Sequence, residues 1–169
     1  QPHSLSLLGG LDGVCQTCHL EKTYNSPSHH FHPRGSSGAR CVECHMPART
    51  YMVLDPRRDH SFRIPRPDLS LKLNTPNACT SCHNDRSHQW AADTVSRWYG
   101  KNRSDQPHFG EILFAGRHGT RMADRDLLKL AVDDKVPGIV RASALELLTQ
   151  FGAPETPEIV RNSLTNQNP

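Results

Sequence analysis

The sequence contains three copies of the motif Cys-x-x-Cys-His, and together they use all six of its cysteines. The copies are Cys15-Cys18-His19, Cys41-Cys44-His45 and Cys79-Cys82-His83. Two thiols three residues apart can each add to one vinyl group of a porphyrin, and the adjoining histidine then reaches the iron. The pattern predicts three covalently attached c-type haems, with the cysteines as thioether donors and the three histidines as proximal iron ligands.

A Cys-x-x-Cys pair is also typical of half a zinc site or of a redox-active dithiol. Two half-sites make one zinc site, so three copies would leave one without a partner. Neither alternative explains why a histidine follows the second cysteine in every copy. Haem attachment is the interpretation that accounts for the whole pattern.

The composition indicates that protein side chains alone form only a small core. Hydrophobic residues make up 35% of the 169 residues and aromatic residues 6%, whereas an average globular chain is nearer to half apolar. Buried porphyrin faces would supply the missing apolar surface. We therefore expect the first hundred residues to fold poorly without the cofactor.

The formal net charge is +3, and the basic residues are scattered, so nucleic-acid binding is not expected. Three haems bring up to six propionates, which would change the net charge to 3 − 6 = −3 before the iron is counted. The densest basic run, 55–67, holds four arginines in a proline-stiffened segment. This run either neutralises the haem propionates by bidentate pairing with their carboxylates or is a solvated basic loop.

Localisation follows from the cofactor rather than from a targeting signal. No stretch of about 18 apolar residues is present, so no transmembrane segment is expected, and no signal peptide is visible. Cysteine-linked haem is attached outside the cytoplasm. We expect the mature product of an exported precursor, in the periplasm or outside the cell.

The distribution of helix signals predicts two parts. Residues 1–100 are expected to form a triheme domain of loops and short helices around a haem-centred core, and residues 101–169 an all-α segment of helical hairpins, with little or no sheet. In the first part, Thr75-Pro76 is expected to open a short helix carrying Cys79 and Cys82. A second helix is expected from Ser87 to Tyr99, ended by Gly100.

In the second part, apolar residues recur at helical spacing from about residue 107. Pro137 is expected to open one helix, Gly152 to end it and Pro157 to open the last. The segment 127–148 resembles one HEAT-type repeat. Because solenoids usually need about three units to bury a continuous face, this segment is expected to pack on the haem region, to meet another subunit, or to be part of a longer array.

The supply of histidines decides whether each iron has a second axial ligand. Eleven histidines less three proximal ones leave eight, enough for bis-histidine ligation of all three haems. The cluster His29, His30 and His32 lies between the first two motifs and is expected to supply two distal ligands. The residues alone leave open which two.

Two further distal candidates are His60, whose neighbour Asp59 is suited to orient its ring, and His3. The remaining histidines, His88, His108 and His118, lie in or beside expected helices and are interpreted as surface or core residues. Methionine is the rival iron ligand and would raise the reduction potential. Met46 directly follows the proximal ligand His45, so it is badly placed to reach the opposite face of the same haem. It is interpreted, with Met52 and Met122, as a packing residue.

Several connected segments resemble the multihaem cytochromes c that carry C-terminal HEAT or tetratricopeptide repeats. They are HHxH at 29–32, SGAxCVxCHMP at 37–47, YM at 51–52, RRDHSFRIPRPD at 57–68, PNACTxCH at 76–83 and WA at 90–91. The resemblance covers about residues 1–100. It implies that distal ligands come from His29, His30 or His32 and from His60.

The opening Pro2-His3-Ser4, followed by Leu7-Leu8, resembles the second half of a doubled Cys-x-x-Cys-His unit. The resemblance implies that His3 is a distal ligand. Because the first half of that unit is absent, we expect either a processed or trimmed piece of a family member or the loss of a fourth haem.

Iron held between two histidines has no open position for substrate, so the main functional expectation is single-electron transfer along closely spaced haems rather than catalysis. The expected partners are redox proteins or an extracellular acceptor, and the chain is expected to form a homo-oligomer or conductive filament, or to join a larger membrane-associated complex. The first alternative is a subunit of a multihaem oxidoreductase, such as a nitrogen- or sulfur-compound reductase, with one open-site haem. A second is a helical tail that docks the haems on a partner.

Overall fold

The chain is mainly helical and divides into two compact units, residues 1–104 and 105–169. The computed structural model describes residues 12–101, 104–152 and 154–164. Helices account for 56% of the structure, and the described residues contain one small two-stranded sheet. The expectation of a mostly helical chain with little sheet is confirmed.

The first unit begins with very short helices separated by loops. They are α1 Gly13–Gln16, α2 Glu21–Tyr24, α3 Pro27–His30, a 3-10 turn Ser37–Ala39 and α4 Cys41–His45. Pro27 starts α3, where its missing N–H costs no hydrogen bond, and Phe31 ends it in the left-handed conformation. A helix of only four or five residues buries little apolar surface on its own. The loops between these helices instead bring the three Cys-x-x-Cys-His motifs into one unit.

A β-hairpin follows α4, formed by β1 Ala48–Tyr51 and β2 Asp55–Arg58. The strands are antiparallel, with Ala48 opposite Arg58 and Tyr51 opposite Asp55. The interpretation of Met52 as a packing residue is wrong, because it lies at the exposed hairpin tip with 77% of its surface accessible.

The last part of the first unit contains α5 Pro67–Leu73, α6 Ala78–Cys82 and α7 His88–Tyr99. Helix α5 packs on α7, and Leu69 and Ala91 are buried there. The predicted helix up to Tyr99, ended by Gly100 with φ of +78°, is confirmed. The predicted start at Thr75-Pro76 is wrong by two residues. Helix α6 begins at Ala78 because the side chain of Asn77 accepts a hydrogen bond from the Thr80 N–H.

The second unit consists of α8 Phe109–Arg117, α9 Ala123–Val132, α10 Gly138–Leu148 and α11 Thr156–Leu164. Helices α8, α9 and α10 enclose one apolar core, formed by Leu113, Leu127, Leu130, Ala131, Val140, Ala144, Leu147 and Leu148. Pro137 caps α10 one residue outside the helix, and Gly152 follows it with φ of +62°. Met122, interpreted as a packing residue, is 54% exposed. Within the described residues, no helix combines the length and the apolar character needed to cross a bilayer.

Candidate cofactor-binding site

Each Cys-x-x-Cys-His motif folds as one helical turn that gathers its two thiols and its imidazole. The His19 N–H donates to the Cys15 carbonyl at 2.9 Å, and the His83 N–H donates to the Cys79 carbonyl at 2.9 Å. The second motif lies wholly within α4. The helical hydrogen bond between residues four apart therefore fixes the spacing of the three side chains.

None of the six cysteines forms a disulfide, and in the second motif the thiol pKa values do not fit a redox-active dithiol. Burial, together with Asp12 and Cys15 nearby, raises the pKa of Cys41 to about 11. Burial, with the neighbouring Cys79 and Cys82, raises the pKa of Cys44 to about 11. Reactive Cys-x-x-Cys pairs instead have a lowered thiol pKa. The neighbours of Cys41 and Cys44 also indicate that the second motif lies beside both the first and the third.

Two of the proximal histidines face a histidine of the 29–32 cluster. The ring centres of His45 and His29 are 6.2 Å apart, and the ring planes differ by only 11°. The ring centres of His83 and His32 are also 6.2 Å apart, with the planes at 32°. The structure therefore brings together two pairs of the histidines that the motifs predict as axial ligands.

The spacing of these pairs is wider than that of the face-to-face aromatic pairs and close to that of the edge-on pair of His32 and Trp98, whose ring centres are 6.1 Å apart. Phe31 and Trp98 stack with ring centres 4.4 Å apart, and Phe114 and His118 at 4.0 Å. Two imidazoles that bind one metal ion from opposite sides, each through a bond of about 2 Å, have ring centres about 6 Å apart. The donor set thus fits an iron with a histidine on each side.

Hydrogen bonds also determine which nitrogen carries the proton in two of these rings. Nδ1 of His45 lies 2.9 Å from the Arg63 carbonyl oxygen, and Nδ1 of His32 contacts the His30 carbonyl oxygen. Because a carbonyl oxygen only accepts, each Nδ1 must carry the proton, which leaves Nε2 with a free lone pair. A bond of this kind fixes the ring orientation and raises the basicity of a metal-binding imidazole.

His30 differs from its neighbours in the cluster. The His32 N–H donates to Nδ1 of His30 at 3.2 Å, so in the neutral ring Nε2 carries the proton and has no lone pair for a metal. Burial, with His32 and Arg34 nearby, lowers the pKa of His30 and favours that neutral ring. Nε2 is buried without a hydrogen-bond partner among the described residues. The ring pairing and the hydrogen bonds therefore favour His29 and His32 over His30 as metal ligands.

The first motif differs from the other two. The ring that contacts His19 is Tyr24, at 5.2 Å and nearly perpendicular. Of its candidate distal ligands, His3 lies outside the described residues, as do the Pro2-His3-Ser4 and Leu7-Leu8 features. His60 is described and exposed. The carboxylate of Asp59 accepts hydrogen bonds from Ser61 and Arg63. The prediction that Asp59 orients the His60 ring is therefore wrong.

Aromatic residues of α7 hold the histidine cluster, and the sequence analysis did not identify this role. Phe31 stacks on Trp98 with their planes 6° apart. The Tyr99 hydroxyl donates to the His29 carbonyl, and the Trp98 ring lies edge-on to His32 at 6.1 Å. The only sequence signal was the adjacent Trp98-Tyr99 pair, whose partner lies about 70 positions earlier in the chain.

The four arginines of the run 55–67 form ion pairs with carboxylates of the chain itself. The pairs are Arg57 with Asp55, Arg58 with Glu43, Arg63 with Asp59 and Arg66 with Asp68. The acids are supplied by the protein, and the side chains of Arg57 and Arg63 are 65% and 61% exposed. Pairing of this run with haem propionates stays a prediction.

The three remaining histidines have structural contacts. Nδ1 of His88 lies 3.3 Å from the Ser70 carbonyl oxygen, and Nδ1 of His118 lies 2.8 Å from the Phe114 carbonyl oxygen. His108 caps α8 by accepting from the Gly110 N–H. Among the described residues, no group of three or more His, Cys, Asp or Glu side chains is arranged to hold a metal ion. This finding does not bear on a haem iron, because a haem iron takes at most two axial protein ligands.

Comparisons with protein families, curated proteins and solved structures give no match.

Proposed function

We propose that the chain is a c-type cytochrome that transfers single electrons through three covalently bound haems. The observation that carries this proposal is the pair of facing imidazoles, His29 with His45 and His32 with His83, each with ring centres 6.2 Å apart. Each pair contains one histidine of a Cys-x-x-Cys-His motif and one of the 29–32 cluster. This is the combination that bis-histidine ligation of an attached haem requires.

In this proposal the residues of the chain have distinct roles. The six cysteines bond the porphyrins, and His19, His45 and His83 bind the irons from one side. His29 completes the second site and His32 the third, while His3 or His60 completes the first. When bound, each haem supplies a one-electron centre, and a histidine on both sides keeps substrates from the metal.

The arrangement of the motifs supports transfer between the sites. Cys15 lies close enough to Cys41 to contribute to the raised pKa of the Cys41 thiol. Cys79 and Cys82 likewise contribute to the raised pKa of the Cys44 thiol. The second motif thus lies between the others, and the cluster 29–32 serves two sites from one four-residue segment. Short distances between attachment points favour rapid electron exchange over an isolated role for each haem.

The wider context follows from the same proposal. Because thioether attachment takes place outside the cytoplasm, the protein acts in the periplasm or outside the cell, with redox proteins or an extracellular acceptor as partners. It assembles as a homo-oligomer, as a filament of stacked copies or as part of a larger membrane-associated complex. For the second unit we propose a HEAT-type helical segment. The packing of α9 against α10 across the turn at 133–137 supports that assignment.

Two measurements on the purified, full-length holoprotein test the proposal. Intact mass reports how many haems are attached, and three are expected. Electron paramagnetic resonance of the oxidised protein reports the spin state of each iron, and low-spin signals for all three are expected. A colourless protein that binds zinc would overturn the proposal, and one high-spin haem would favour the oxidoreductase alternative.

A further inference from the structure

We propose that Arg58 is a positioning residue for the second haem site, where it holds the peptide segment whose carbonyl group orients the proximal ligand His45. This inference rests on the proposed function. It concerns how one of the three sites acquires its own reduction potential. Arg58 is not a member of any Cys-x-x-Cys-His motif, and its described hydrogen bonds are to Val42, Met46 and Glu43 rather than to the His45 ring.

Arg58 binds helix α4 through three hydrogen bonds. Its Nη1 donates to the Val42 carbonyl at 3.2 Å and to the Met46 carbonyl at 3.1 Å, and its Nη2 donates to the Glu43 carboxylate at 2.7 Å. Val42 lies within α4, where its carbonyl also accepts from the Met46 N–H at 3.0 Å, and Met46 is the residue that caps the end of the helix. The planar guanidinium thus joins the end of the motif helix to strand β2.

The arginine is partly buried, and it is the inward-facing arginine of the hairpin. The side chains of Arg58 and Glu43 are 32% and 24% exposed. Arg49 lies one register position from Arg58, on the opposite face of the ladder, where it is exposed. The hairpin therefore offers a matched surface arginine for comparison.

From Arg58 the chain runs back along the second motif to Arg63. The Asp59 N–H donates to the Pro47 carbonyl at 3.2 Å, and the Arg63 N–H donates to the His45 carbonyl at 3.0 Å. The Arg63 carbonyl in turn accepts from Nδ1 of His45 at 2.9 Å. Segment 58–63 is thus anchored on α4 at one end by Arg58 and at the other by His45 itself.

The hydrogen bond to Nδ1 makes the imidazole a stronger donor to iron, which stabilises the oxidised state and lowers the reduction potential. If Arg58 is lost, the anchor at one end of the segment is lost and the bond from His45 to Arg63 weakens. The potential of the second haem should then rise. The other two sites have no contact with Arg58 among those described and should keep their potentials.

The test uses holoprotein variants that separate position from charge. Arg58→Met alone would leave the Glu43 carboxylate without this partner, so the main variant is the double change Arg58→Met with Glu43→Gln, which conserves the net charge. Arg58→Lys keeps the charge but not the forked geometry, and Arg49→Met is the surface control. The readouts are the three midpoint potentials from spectroelectrochemical titration and the low-spin resonance signals.

We expect an upward shift of one potential and a change in one low-spin signal in the double variant, a smaller shift of the same haem in Arg58→Lys, and no change in Arg49→Met. Three unchanged potentials in the double variant would overturn the inference, as would equal shifts of all three haems. If the double variant does not acquire its haems, the midpoint potentials of Arg58→Lys test the inference alone, and three unchanged potentials in that variant would overturn it. Failure of the proposed function is a different result, since the unmodified protein would then lack three low-spin haems.

Discussion

The imidazole ring of His32 lies against the α-carbon of Gly38, in the space that any other residue at 38 would fill. A Cβ atom at Gly38 would lie 2.3 Å from Cδ2 of His32 and 2.8 Å from its Nε2. The φ angle of Gly38 is not positive, so the glycine is needed for this contact rather than for its backbone. Gly38 precedes the second motif by only three positions. It nevertheless limits where the His32 ring can lie, and that ring faces His83 of the third motif.

Substitution of Gly38 by alanine should therefore disturb the third haem and not the second. The added methyl group must displace the His32 ring, which weakens its bond to that iron and converts one low-spin signal to high-spin or shifts one potential. Ser37→Ala, an exposed position in the same 3-10 turn, is the control. A change confined to the second haem, whose attachment site is the nearer in sequence, would contradict the assignment of His32.

Single alanine substitutions within the cluster 29–32 should give two different outcomes. His29→Ala and His32→Ala should each leave one iron without a distal ligand, so that one haem becomes high-spin in the oxidised protein. His30→Ala should leave all three low-spin, because Nδ1 of His30 is an acceptor and Nε2 carries the proton. Resonance spectra of the three variants distinguish these outcomes, and a high-spin haem in His30→Ala would refute the division of the cluster.

The local structure of the site could be predicted from the sequence better than its long-range geometry. The spacing within each motif is local, and a helical turn between Cys15 and His19 or between Cys79 and His83 follows from it. Which cluster histidine faces which motif depends on contacts between distant segments, such as that of Tyr99 with His29. No periodicity reports such contacts.

The same distinction explains the errors in the fold. The end of α7 at Gly100 was predictable because a glycine with positive φ is a local signal. The start of α6 was misplaced because Asn77 and Thr75 are both good caps, and the choice depends on the bond to Thr80. The exposure of Met52 was not predictable, since it depends on a hairpin that the sequence analysis did not expect.

Replacement of Tyr99 by phenylalanine should weaken the attachment of the histidine cluster to α7. The ring contacts with Phe31 and His29 remain, but the hydroxyl that donates to the His29 carbonyl is removed. The expected loss is about 1 kcal/mol of unfolding free energy, measured by denaturant unfolding of the holoprotein. Tyr51→Phe, at the exposed end of β1, should have little effect, and an equal loss in both variants would count against the contact.

Replacement of Leu148 by alanine should destabilise the second unit. Leu148 is fully buried in the core of α8, α9 and α10, and truncation of such a side chain costs about 2–5 kcal/mol. Ile139→Ala on the same helix removes a side chain that is 76% exposed and should cost less than about 1 kcal/mol. Thermal unfolding followed by circular dichroism compares the two, and similar losses would mean that this core is wrongly assigned.

The ion pair between Asp68 and Arg66 should make the first unit sensitive to acid. Arg66 donates from Nε and Nη2 to the Asp68 carboxylate at 2.9 and 2.7 Å, and both side chains are largely buried. Burial alone raises the pKa of Asp68, but the hydrogen bonds and charge of Arg66, with a contribution from Lys72, outweigh it and lower that pKa below the usual 3.8.

A carboxyl group whose pKa is lower in the folded chain stabilises it fully above the unfolded value. That contribution is lost as the pH falls through the folded value, so it declines below about pH 4. Asp68→Asn should therefore cost about 1–3 kcal/mol at pH 7 and reduce the dependence of unfolding on pH below about 4. Asp85→Asn removes an exposed partner of Arg86 and should change neither quantity. Parallel pH profiles for Asp68→Asn and the unmodified protein would show that this pair is not a source of the acid sensitivity.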